Sequence, residues 1–151
     1  MDQLSERMKA LITKGSICKI RHLNPRGQTV EHYAIVCNSS PATDTTIVLA
    51  VITSVRDDRM LSDVRRQYGE DFICLVPPIT FRRLINLSFV NCHKPILRTL
   101  EQLCDEVNSG SAVFYHPGTD NYTLISACIS GMLNSDRVSN IQKEIIRTCC
   151  S

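Results

Sequence analysis

Residues 31–54 read EHYAIVCNSSPATDTTIVLAVITS, and the fold of the chain turns on this stretch. It holds two apolar, β-branched runs, His32 to Cys37 and Thr46 to Thr53. Between them lies Asn38-Ser39-Ser40-Pro41-Ala42-Thr43-Asp44, a run of turn formers. Two such runs joined by a polar, Pro-containing loop predict a pair of antiparallel strands. Neither run alternates cleanly, which predicts burial on both faces, as in a small barrel. The second run ends in Thr53-Ser54, where hydroxyls leave a rigid strand, and this is the place in the chain best suited to chemistry.

Upstream, Ile17-Cys18-Lys19-Ile20 alternates apolar and charged residues, which predicts a half-exposed strand. A loop at 22–28 joins it to the first run. Residues 3–13 place Leu4, Met8, Leu11 and Ile12 on one helical face, with Gly15 as the stop. Downstream, Asp57 or Asp58 caps a helix that Gly69 ends. Phe72 to Val76 reads as a buried strand, and 84–87 and 88–92 offer one or two more. Pro95 is expected to start a helix running to about Val107. Residues 112–115 fit strand or helix. Thr119 or Asp120 caps a helix to about Leu133, and Ser135 or Asp136 caps a last one with Val138, Ile141, Ile145 and Cys149 on a face. The class is α+β. Residues 1–110 form the β-rich domain with its N-terminal helix, and 111–151 form a C-terminal helical extension packed on the same domain.

The 151 residues suffice for one domain with a real core. Trp is absent and aromatics make up only 5%, which argues against binding built mainly on base stacking. No stretch reaches the length of a membrane span, and residues 1–14 lack a signal-peptide core, so a cytoplasmic protein is expected. The eight cysteines have irregular spacing and no C-x-x-C. Reduced, buried thiols are the favoured reading, with a disulfide framework or a metal site including Cys92-His93 as alternatives. Net charge is only +2, but it is unevenly spread. Residues 7–30 carry six basic side chains and no acid, and residues 72–100 carry four and no acid. Brought together, these segments would form a face for a polyanion.

The P-loop, dinucleotide, zincin and nucleophile-elbow motifs are all missing. Strand segments carry no carboxylate pairs. The chemistry left is that of His, Arg and hydroxyl groups, which suits RNA cleavage by its own 2′-hydroxyl. The order of the Gly15-Ser16-Ile17 strand, the His32–Val36 strand, the Val48–Ile52 strand ending in Thr53-Ser54, and Leu87–Cys92 leading to Ile96-Leu97-Arg98-Thr99-Leu100 resembles the PemK/MazF-like family. The resemblance covers roughly residues 15–107.

That resemblance implies a small SH3-like β-barrel, here with a helical insertion at 57–69 and added terminal helices. It implies a toxin-type endoribonuclease that cuts single-stranded RNA with no metal or cofactor. It also implies a homodimer and a cognate antitoxin. Thr53 matches the hydroxyl residue that the family places beside the scissile phosphate. The family's catalytic Arg begins the second strand; here that position is His32, which would act as acid or base. Arg26 would then hold the phosphate. Lys19, Arg21, Arg82, Arg83 and Ser54 are the expected RNA contacts, and His22 is a further loop candidate. The alternative is a non-catalytic barrel binding a protein or nucleic-acid partner, favoured by the loss of Arg at position 32 and by the extra helices. A cysteine enzyme using Cys92 with His93 or His32 is a third reading, against which neighbouring strand side chains point to opposite sides.

Overall fold

The computed structural model describes residues 3–24, 26–115 and 121–151. Its elements are α1 (Gln3–Leu11), β1 (Ile17–Leu23), β2 (Thr29–Val36), β3 (Thr46–Ser54), α2 (Asp58–Tyr68), β4 (Ile73–Val76), β5 (Ser88–Asn91), β6 (Ile96–Thr99), α3 (Leu100–Asn108), β7 (Ala112–Tyr115), α4 (Tyr122–Asn134) and α5 (Asn140–Cys150). The strands form one antiparallel sheet in the order β4-β5-β3-β2-β1-β7, with β6 pairing β3 beside β5. The chain is thus α+β. Among the described residues no ladder joins β4 to β7, so the sheet is open, and the ladder does not show the expected barrel.

Both faces of this sheet are covered, which explains the missing alternation in the central hairpin. On one face Ile17, Ile35, Ala50, Ile52 and Val90 pack with Ile125, Cys128 and Met132 of α4 and Ile146 of α5. On the other, Cys18, Ile20, Ala34, Val36, Ile47 and Leu49 pack with Met8, Ile12, and Leu100, Leu103 and Cys104 of α3. Truncating a side chain such as Ile35, fully buried at this sandwich's centre, to Ala costs about 2–5 kcal/mol. The β2–β3 loop is pinned by buried Asn38. Its amide donates to Asp44 and to the Thr46 carbonyl, both at 2.8 Å, and its carbonyl accepts from the Val48 N–H at 2.7 Å.

Several expectations need correction. Pro95 starts no helix; Ile96–Thr99 is β6, and α3 begins at Leu100 with Thr99 and Gln102 closing a capping box. Residues 84–87 form no strand. The last helix is capped by Ser139, again with a capping box to Gln142, not by Ser135 or Asp136. Leu11 and Ile141, assigned to apolar faces, are exposed. Asp57 does cap α2, accepting the Met60 N–H, and Gly69 ends that helix at a positive φ of 92°. Thr119 and Asp120, named as caps for α4, lie outside the described residues, as does the side chain of Leu4. No helix among the described residues is long and apolar enough to cross a membrane.

Candidate functional site

Strand β3 is flanked on one side by a strand that breaks in two. Its C-terminal end pairs β5 through Ile52↔Val90, and its N-terminal half pairs β6 through Leu49↔Ile96. Between these pairs, Ala50 and Val51 face the five residues from Asn91 to Pro95. The surplus loops out as a turn held by the Asn91 side chain, which accepts the His93 N–H at 3.0 Å. The break opens a cleft of about 580 Å³, lined by His22, Asn24, His32, Val51, Thr53, Asn91 and Lys94 among others.

Strand alternation puts the chemistry there. His22 and His32 lie diagonally across the β1–β2 ladder, which pairs Ile20↔His32 and His22↔Val30, and so share a face. The β2–β3 register runs Tyr33↔Ile52 and Ala34↔Val51, so continuing it by one residue sets Thr53 opposite His32. Nε2 of His22 and Nδ1 of His32 are 2.7 Å apart, a hydrogen bond in which one ring must donate and the other accept. Among the described residues no hydrogen bond engages the outer nitrogens of the pair. Burial first, and the neighbouring His22 second, hold the His32 pKa below the usual 6.5. Lys94 adds a cation to the lining; its ammonium donates to the Tyr68 hydroxyl at 3.1 Å and lies 5.0 Å from that ring's centre.

The other expected site residues fall elsewhere. Arg26 is exposed in the β1–β2 turn, its backbone N–H bonded to Asn24 Oδ1, and is not part of the cleft lining. Lys19 and Arg21 stand on the opposite face of the sheet, both paired with Glu31 at 3.2 and 3.3 Å. Ser54 is exposed and, next along β3 from Thr53, points away from the cleft. Arg82 and Arg83 line a separate cavity of about 610 Å³ with Phe81 and Tyr115. There the two basic segments do approach each other. Arg83 sits 4.3 Å from the Tyr115 ring centre, Lys19 lies 5.7 Å from that of Tyr33, and the two tyrosine rings are 6.2 Å apart.

Neither Cys92 nor His93 faces the histidine pair. His93 is a buried bracket: Nε2–H donates to the Tyr68 carbonyl at 2.7 Å, and Nδ1 accepts from the Ser135 hydroxyl. With both nitrogens committed, His93 is neither a ligand beside Cys92 nor its base. Sequence reasoning passed over Lys94, Asn91 and Asn24 as site residues. The only signal for Lys94 was its place in the second acid-free segment. No protein-family model matches the chain, and no match is found among curated proteins.

Proposed function

We propose that the chain is a PemK/MazF-like, toxin-type endoribonuclease that cleaves single-stranded RNA without metal, using the cleft at the β5–β6 break. The observation that carries this reading is the hydrogen-bonded His22–His32 pair sharing that cleft with Thr53 and Lys94. With Nδ1–H of His32 donating to Nε2 of His22, the free Nε2 of His32 takes the proton of the RNA 2′-hydroxyl. The 2′-oxygen attacks the adjacent phosphorus and expels the 5′-oxygen, which receives a proton from Nδ1–H of His22. The shared proton shifts from His32 to His22, leaving each ring neutral. The products are a cyclic phosphate and a free 5′-hydroxyl. Thr53 bonds a phosphate oxygen, and Lys94 offsets the charge gathering on the phosphorane. Arg26 contacts the RNA backbone from the turn that also carries Asn24. The resemblance brings with it the SH3-like form of the strand core, a homodimer, a cognate antitoxin and a cytoplasmic setting.

Incubation of the purified chain with mixed RNA in EDTA tests this. Cleavage by wild type, with losses of about 10²–10⁴-fold in His32→Ala and His22→Ala, is expected for an acid–base pair. Intact RNA, or equal cutting by both variants and Thr53→Ala, overturns the reading. The second reading, a non-catalytic module binding a partner, draws on the Lys19, Tyr33, Tyr115 and Arg83 cluster on the opposite face. Harmless expression in bacteria with wild-type RNA binding but no cutting would favour it.

A further inference from the structure

Strand pairing brings three cysteines together behind the cleft. Cys74 on β4 pairs with Val90, and Cys92 follows Val90 by two residues, so both sulfurs rise from the same face of the sheet. Cys128 comes down onto them from α4. The Sγ atoms all lie within 4.8 Å of one another, with Cys74 and Cys92 at 3.6 Å. Three thiolates around one ion at a metal–sulfur distance of about 2.3 Å would stand roughly 4.0 Å apart, inside that range. No fourth Cys, His, Asp or Glu atom joins the group among the described residues. Gly131 lets α4 close over the site, since a Cβ there would stand 2.6 Å from Cys92 Sγ.

We propose that Cys74, Cys92 and Cys128 form a binding site for a single thiophilic d10 cation, Zn(II) or Cu(I). Binding breaks three S–H bonds, forms three metal–sulfur bonds and releases the protons to solvent, with no change of oxidation state. The thiolate-only donor set selects soft ions over Mg²⁺ or Ca²⁺. Cu(I) is satisfied by three sulfurs, whereas Zn(II) completes its tetrahedron with a water. Half-buried Cys74 is the route in, because Cys92 and Cys128 are fully buried. The ion would tie β4, β5 and α4 together, and so fix the base of the 91–95 turn whose other side walls the cleft. Asn91 and Cys92 are neighbours that point to opposite faces. The site is thus separate from the histidine pair and does not depend on the proposed cleavage.

The reduced full-length chain, incubated separately with Zn(II) and with Cu(I) and then desalted, tests this by elemental analysis, proton release and thermal unfolding. One retained ion per chain, a rise in unfolding temperature and a thiolate charge-transfer band in the ultraviolet are expected. Cys74→Ser, whose side chain is half-buried and tolerates the change best, should lose the retained ion, while Cys104→Ser keeps it. Which ion is retained decides between the two metals. No retained ion in the folded wild type, or equal retention by a Cys74→Ser and Cys128→Ser double variant, overturns the proposal.

Discussion

Nε2 of His22 and Nδ1 of His32 stand 2.7 Å apart across the β1–β2 ladder, a separation that holds one proton and not two. Protonating both rings would set two N–H groups against each other in a half-buried cleft. The fold therefore prefers His32 neutral, and its pKa is held below 6.5 by burial and then by His22. An unfolded chain has no such preference. Below about pH 6.5 the unfolded chain binds more protons at this position than the folded one, so stability falls as pH drops through that value. Urea unfolding of wild type and His32→Asn between about pH 8 and pH 5 should show the acid-side loss in wild type and a shallower slope in the variant. Parallel profiles would assign the loss to other groups.

Lys94 and Lys19 are both lysines in acid-free segments, yet they should behave differently toward RNA. Lys19 is already paired with Glu31 at 3.2 Å on the far face. Lys94 lines the cleft with a neutral tyrosine hydroxyl as its partner. If single-stranded RNA occupies the cleft, Lys94→Ala should lower the slope of log affinity against log salt by about 0.7, the loss of one phosphate contact. Lys19→Ala and Arg21→Ala should change it less. Fluorescence anisotropy with a labelled oligonucleotide at several salt concentrations makes the comparison.

His93 links three parts of the fold through one ring: the β5–β6 turn, the end of α2 at Tyr68 and the end of α4 at Ser135. Removing the ring takes the His93 partner from the part-buried Tyr68 carbonyl and from the buried Ser135 O–H, and leaves a void between Phe72 and Tyr68. His93→Ala should cost on the order of 3 kcal/mol in chemical denaturation. Ser135→Ala, which removes the hydrogen bonds to His93 and from the Arg137 N–H but little volume, should cost about 1–2 kcal/mol. A loss in Ser135→Ala as large as that in His93→Ala would contradict this ranking.

The central hairpin was legible because its signal is local: two β-branched runs and a turn-rich loop need no knowledge of the rest of the chain. The break between β5 and β6 was not. Pro95 reads as a helix start by local preference, but residues 46–49 of β3 present an edge that Ile96–Thr99 fills, and that pairing overrides the local signal. The capping boxes Thr99–Gln102 and Ser139–Gln142 were there to be read; Ser135 was a poor cap because its hydroxyl is engaged by His93 and by the Arg137 N–H. Of the residues lining the candidate cleft, His32 and Thr53 are legible from strand ends. Their meeting with His22 and Lys94, and the gathering of Cys74, Cys92 and Cys128, depend on ladder registers that no spacing rule in the sequence encodes.

Gly131 tests how tightly α4 is seated on those sulfurs. In an exposed helix interior, Gly→Ala gains about 1 kcal/mol from backbone propensity. Here a Cβ would lie 2.6 Å from Cys92 Sγ and 2.7 Å from Cys92 Cβ, both contacts far inside van der Waals distance. The sulfur could rotate away, but the Cβ is fixed to the backbone next to β5, and Cys92 is fully buried. Helix and sheet must separate by several tenths of an ångström, and overpacking of that kind costs about 1–3 kcal/mol. Gly131→Ala should therefore destabilise the chain in urea titration, reversing the sign expected from propensity. It should also loosen the sulfur cluster, seen as faster alkylation of Cys92 and Cys128 under native conditions. A stabilised variant with unchanged alkylation would mean that α4 rides further from β5 than the backbone places it.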